Sequence, residues 1–241
     1  MTPSRLEKLQ AHASRLLDLF IEAKEKHALL SPMLNDDVRQ LFGKGGRARG
    51  FGMLQNTLGM ACVLDLAKLA ADTDERTPSI KRLVAALEDE PLCSQLRETF
   101  AVLSLVPKSG YSRDVLRILE ESERKDEHLR RHRFDELVRD LRERWDRTER
   151  SPTLAAFLAL RDKYLAHNEL HHDGDQYKPL DVSGLGLKWS DIAALVAEFD
   201  AQVDAINLIY RGASFAFDML EEQVTRAAKD FWVSPAEQPG T

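Results

Sequence analysis

The chain has 241 residues, of which 43% are hydrophobic and 31% charged, the proportions of an ordinary soluble globular protein with enough length to bury a sizeable core. A formal net charge of −6 argues against a general, charge-driven nucleic-acid binder, although an enzyme that meets RNA at a small basic patch remains compatible with it. No apolar run of 18 or more residues marks a membrane span, and the N-terminus lacks the apolar core of a signal peptide, so the expected location is the cytoplasm. Cys62 and Cys93 lie far apart in apolar helical surroundings and read as buried free thiols.

With 7% aromatics and few glycines or prolines, the composition fits a helical protein. Ser4 and Glu7 have the spacing of a capping box. They open a first helix whose apolar residues, Leu6, Leu9, Ala13, Leu16, Phe20 and Ala23, recur at steps of three and four. Ser31-Pro32 is expected to break it, and a short helix over Asp36–Phe42 follows. The run from Gly43 to Gly52 reads as a flexible glycine-rich loop, since it lacks the spacing and the Lys-Ser/Thr pair of a P-loop. Its Lys44, Arg47 and Arg49 form a candidate basic lip for RNA phosphates.

A second long helix is expected from Phe51 to Ala71. Thr77-Pro78 should cap a shorter helix ending near Pro91, and another should run from Leu92 to Val106. Ser112 then opens a heavily charged stretch reaching Arg150. Its narrow apolar seam is Phe134, Leu137, Val138, Leu141 and Trp145. Asp135/Arg139, Asp140/Arg144 and Glu143/Arg147 stand at the favourable spacing of four, which reads as a solvated helix packed on one side.

Ser151-Pro152 opens the next helix, expected to run past His167. At about 100° per residue Leu154, Leu158 and Leu165 share a stripe, with Phe157 beside it. Arg161 falls on that stripe and breaks the pattern, and a guanidinium there needs an anionic or hydrogen-bonding partner. A buried acid such as Asp65 would serve. Tyr164 reads as core, and Lys163 lies on the outer face. The segment from His171 to Leu187 is a long polar loop. Ser190 caps a helix carrying Ile192, Leu195, Val196, Phe199, Val203, Ile206 and Ile209, Gly212 separates a last helix over Ala213–Trp232, and residues 233–241 form a mobile tail. The result is a single all-α domain over residues 1–232, a helical bundle of long antiparallel helices with extra shorter ones.

The string Leu160-Arg161-Asp162-Lys163-Tyr164-Leu165-Ala166-His167 resembles the motif of the HEPN superfamily (higher eukaryotes and prokaryotes nucleotide-binding), in particular its abortive-infection branch. In that motif four to six residues separate an Arg from a His, and a polar residue often follows the Arg. Arg5 and His12 satisfy the spacing too, so the wider string carries the resemblance. The resemblance implies a helical bundle that dimerises and brings two motifs into one cleft. It also implies a metal-independent, cofactor-free endoribonuclease, of the toxin or effector kind in phage defence, with RNA as substrate and an antitoxin as controlling partner. In such chemistry the RNA 2′-hydroxyl attacks the adjacent phosphate. By carry-over His167 is the general acid or base, Arg161 the charge stabiliser, Asp162 an orienting group and Lys163 a phosphate contact.

On a regular helix Arg161 and His167 point about 120° apart, which favours a site assembled from two chains. The alternative is a non-catalytic module of the same type that binds RNA, nucleotide or a partner protein. A minority reading is zinc held by His167 and His171 at helical spacing.

Overall fold

The computed structural model describes residues 4–72, 74, 76–102, 112–162, 170–173, 176–179 and 186–232. The first helix, α1 (Arg5–Met33), begins with the expected capping box: Ser4 Oγ accepts from the Glu7 amide while the Glu7 carboxylate accepts from the Ser4 amide. Its inner face buries Leu9, Ala13, Leu16, Leu17, Phe20 and Ala23. Ser31-Pro32 does not break the helix. Pro32 sits in the last turn, and the chain closes through short-range bonds from Leu34 to the Ser31 carbonyl and from Asn35 to the Pro32 carbonyl.

Helix α2 (Asp36–Leu41) leads into a reversal of three residues, Gly43 to Gly45, whose two outer glycines have φ of 62° and 75°. Side chains rarely adopt that region, so glycine is the natural residue at both positions. Helix α3 (Gly46–Ala71) starts at once, which corrects the expected ten-residue loop: Arg47 and Arg49 lie on a helix. The glycines at 46, 50 and 52 misled the reading, because each costs helix stability but none forbids a helix backed by tertiary packing.

Ser79, rather than Thr77-Pro78, caps α4 (Ile80–Ala86), accepting from the Arg82 amide. Asp89 caps α5 (Glu90–Ala101), with Pro91 in its first turn, where a missing N–H costs nothing. Helix α6 (Arg113–Glu149) is 37 residues long. From Phe134 onward its predicted seam is in place, with Phe134, Val138, Leu141 and Trp145 buried and Leu137 only partly covered. Its charges, however, are drawn across to neighbours. Asp135 meets Arg97 of α5 in a two-pronged pair rather than Arg139, and Arg131 grips Glu98. A bidentate partner on another helix holds better than a flexible pair along one surface.

Ser151 caps α7 (Pro152–Leu160), accepting from the Leu154 amide. The buried stripe of α7 is Leu154, Phe157 and Leu160, with Leu158 only partly covered, so the face lies slightly round from the expected one. The segment expected to be a loop contains an antiparallel pair of short strands, β1 (Leu170–Asp173) and β2 (Gln176–Pro179), in register Asp173 to Gln176 and Leu170 to Pro179. Gly174-Asp175 between two short runs is a hairpin signal that could have found it.

Lys188, not Ser190, is the N-cap of α8 (Trp189–Arg211), with Ser190 inside the helix: the Asp191 carboxylate, in the first turn, accepts from the Lys188 amide at 2.8 Å. Gly212, at φ 65°, terminates α8 in the left-handed region and α9 (Phe217–Trp232) follows.

Pairs between helices give their directions. Lys26 meets Asp65 and Gln55 meets the Met33 carbonyl, so α1 and α3 are antiparallel. Lys24 meets Asp200 and Gln10 meets the Tyr210 carbonyl, so α1 and α8 are antiparallel as well. The centre is filled by Phe20, Phe134, Phe157, Phe199 and Tyr210, the last with its hydroxyl satisfied by the Leu83 carbonyl at 2.7 Å. The fold is therefore an all-α bundle, with one small hairpin among the described residues. No described helix is long and apolar enough to cross a membrane.

Candidate functional site

Arg161 stands where α7 stops being regular. The hydrogen-bonded α-helix ends at Leu160, and Arg161 and Asp162 form a wider, π-type turn. Such turns often occur at functional positions, because the extra residue redirects the side chains that follow. Arg161 does not find the acid expected of it: Asp65 is taken by Lys26 at 2.5 Å. Its Nη1 instead donates to the Ala71 carbonyl at 3.1 Å and the Ala67 carbonyl at 3.3 Å, while its Nε donates to Asp162 Oδ1 at 2.6 Å.

Ala71 is the last residue of α3, so its carbonyl has no partner within that helix and lies at the negative end of the helix dipole. Arg161 is the capping group for that end. Its side chain is 16% exposed, against 55% for Asp162. The guanidinium is thus held mostly under cover, with fixed orientation, by two backbone carbonyls and one carboxylate.

Lys163, Tyr164, Leu165 and His167 lie outside the described residues, as does the tail at 233–241, so the rotation between Arg161 and His167 worked for a regular helix has no counterpart here. His171 lies on strand β1. The zinc reading placed His171 on the motif helix, and its strand position is a correction to that; His167 lies outside the described residues.

Lys44, Arg47 and Arg49 are at the start of α3, whereas Arg161 caps its finish. At 1.5 Å per residue the two are roughly 30 Å apart, so one chain does not bring the basic lip and the motif together. Arg47 lies instead over the Phe42 ring, 5.8 Å from its centroid, at the edge of a small aromatic cluster of Phe42, Phe51 and Trp232. The chance pair at Arg5 and His12 is also accounted for: Arg5 pairs with Asp89, and burial with nearby Lys8 and Arg82 pulls the His12 pKa down.

Two features escaped the sequence reading. The first is Lys24, 4% exposed, which falls four residues after Phe20 on the apolar stripe of α1 and breaks that stripe as Arg161 breaks its own. Its ammonium binds both oxygens of Asp200 at 2.7 Å, reaches Glu221 at 3.4 Å, and lies 5.1 Å from the centre of the Phe217 ring. It forms the floor of a cavity of about 830 Å³ between α1, α8 and α9, which also exposes His27 and Lys229. That cavity shares no residue with the motif. Burial lowers the His27 pKa and raises that of Asp200.

The second is a smaller apolar pocket of about 270 Å³ lined by Gly59, Met60, Val63, Phe157, Leu160, Leu187, Lys188, Trp189 and Ile192, ending at the residue before Arg161. Of the two cysteines, Cys62 is buried as expected, its thiol pushed up to about 12 by desolvation, and Cys93 is half-buried.

A family model, HEPN_AbiU2, described as AbiU2, matches residues 6–231. No curated protein and no solved structure matches. The match spans nearly every helix described above, and the chain belongs to this HEPN family of the abortive-infection type.

Proposed function

We propose, with membership of the AbiU2-type HEPN family as the premise, that the chain is a metal-independent endoribonuclease that works as a homodimer. One observation supports this reading above the others: a mostly covered guanidinium, oriented by Asp162 and two carbonyls, at an irregular turn inside the family-like string. In the proposed reaction an RNA 2′-hydroxyl loses its proton and attacks the adjacent phosphorus. The P–O5′ bond breaks, leaving a 2′,3′-cyclic phosphate and a 5′-hydroxyl. His167 moves the proton, being the side chain that changes charge near neutrality. Arg161 neutralises the crowded phosphorane, and Asp162 positions Arg161 through the 2.6 Å bond. Lys163 contributes a phosphate contact.

Two motifs facing one cleft would give the assembled site. The same reading makes the protein a toxin or effector in phage defence, controlled by an antitoxin and acting in the cytoplasm. Lys44, Arg47 and Arg49 would then bind phosphates away from the scissile bond or belong to the second copy.

Incubating the purified protein with RNA in EDTA tests the reading. Fragments ending in a 2′,3′-cyclic phosphate, lost in His167→Ala and in Arg161→Lys, are expected. Intact RNA overturns it.

A second reading has its own observation. The bonds from Arg161 to Ala67 and Ala71 are explained by fold stability alone, as a helix cap, with no need of a substrate. On that reading the chain is a binding module for RNA, nucleotide or a partner protein, and a purified dimer that binds without turnover favours it.

A further inference from the structure

Only the second half of α6 is built into the bundle. No residue from Val115 to Arg133 is buried, and Phe134 is where its buried seam begins. The bonds that tie α6 to other described helices begin at Arg130, which donates to the Ala101 carbonyl at 2.7 Å, and continue through Arg131, Asp135 and Arg142. The start of the helix at Arg113 extends roughly 25 Å past the first of these ties. A solvated helix of that length is marginal on its own, and packing along one stripe is what normally holds it.

The stripe is present. Ile118 and Leu129, 63% and 65% exposed, stand three turns apart and share a face, and Val115 extends the row by one turn. Between them Glu121, Arg124, Lys125 and His128 enclose, with Leu129, a shallow hollow of about 520 Å³. Those four residues stand at i, i+3, i+4 and i+7, the spacing of the hole that receives a side chain from a facing helix in knobs-into-holes packing. One helix thus carries a knob, Ile118, close to a hole. Two copies related by a two-fold axis need that arrangement, because each must offer both halves of the contact.

The charges select the direction. Glu121 and Lys125 are 72% and 75% exposed and meet along the helix at 3.7 Å, a pairing that contributes little in water. Antiparallel copies set each Lys125 against the other copy's Glu121, whereas parallel copies set like charge on like.

We infer that the first half of α6 is a self-association arm, which pairs antiparallel with the same arm of a second copy through Ile118, Leu129 and the Glu121–Lys125 exchange. The arm shares no residue with the motif, so this contact is separate from a cleft between two motifs and independent of the nuclease reading. A Lys within the row fixes register at a cost in stability, which makes the contact a reversible one.

The test is sedimentation velocity on the full chain at micromolar concentration, with Glu121→Lys and Lys125→Glu. Both side chains are exposed, so both variants keep the fold, and matching circular dichroism melts check it. The assembly formed by wild type should fall to half its mass in each variant alone, because each then sets like charges together. An equimolar mixture of the two variants restores opposite charges across the contact and should regain the wild-type mass. Monomeric wild type, undiminished mass in either variant alone, or a mixture no heavier than its components overturns the arm. RNA cleavage is read separately: its persistence in both variants is expected, and its absence from wild type as well removes the nuclease reading while the mass measurements still decide the arm.

Discussion

Replacing Arg161 by Met separates what this side chain does for the fold from what it does for chemistry. The substitution keeps the aliphatic stem that packs near Leu160 and removes the charge and both carbonyl bonds. A hydrogen bond from a charged donor to a carbonyl contributes about 1.5–3 kcal/mol. The 3.1 Å bond to Ala71 satisfies an orphan carbonyl and counts in full. The 3.3 Å bond to Ala67 is longer and shares an oxygen already used within α3, so it adds little. The Asp162 pair is half in water and adds at most several tenths of a kcal/mol. The net loss is therefore about 2 kcal/mol, which for a chain of this size lowers Tm by about 4–8 °C. Circular dichroism melts at pH 7.5 measure it, with RNA cleavage assayed at 25 °C, well below the transition. A shift of that size with cleavage reduced by more than a hundred-fold is expected, since the second effect exceeds what partial unfolding produces at 25 °C. A Tm within 1 °C of wild type would falsify the capping role and the energy assigned to it.

Lys24→Met should destabilise by about 3 kcal/mol, the lower end of the range for breaking a buried ion pair, because Asp200 and Glu221 keep some water. Adding Asp200→Asn should recover a good part of this in urea unfolding, and a double variant no more stable than the single one would contradict the account. His12 and His27 both have folded pKa values lowered by burial, so the unfolded chain binds more protons once pH drops below 6.5. Their contribution is complete above 6.5 and is lost as pH falls from there through their depressed values. Urea midpoints should decline from pH 7.5 to 5.5, and His27→Gln should flatten the slope; an identical slope in that variant would discount His27. Ser151→Ala removes the bond to the Leu154 amide and should cost about 1 kcal/mol, read as a small loss of Tm with no loss of fold.

Long periodic stretches were the readable part of this sequence. Leu9 to Ala23, the Phe134–Trp145 seam and Ile192 to Ile209 declared their faces because buried side chains must recur every three or four residues, and all but the partly covered Leu137 are buried as expected. Local chemistry was less decisive where long-range contacts compete with it. The glycines from Gly43 to Gly52 suggested a loop, yet Phe51 stacks on Phe42 and packs on Trp232, anchoring a helix from Gly46. Pro32 suggested a break, yet it is buried in the last turn of α1.

At the candidate site, Arg161 stood out because it occupied an apolar stripe, but its partners were backbone carbonyls. Side-chain complementarity can be sought along a sequence, whereas the exposed carbonyls of a helix end some ninety residues earlier leave no mark there. The packing of Trp189 on α3 went unnoticed for a related reason: its indole lies so close to Gly59 that a Cβ there would collide with it, and a missing side chain leaves no such mark either.

Helix α3 works as a ruler between the basic lip and the Arg161 cap. A strand that touches Arg47 and Arg161 of one chain must cross the roughly 30 Å between the two ends of the helix, a distance of about nine stacked nucleotides at 3.4 Å each. A dinucleotide held at the Arg161 end spans almost none of that distance. Chain length thus becomes a means of sorting the two regions: affinity gained only in oligonucleotides longer than this belongs to the lip, and affinity already present in very short ones belongs to the motif end.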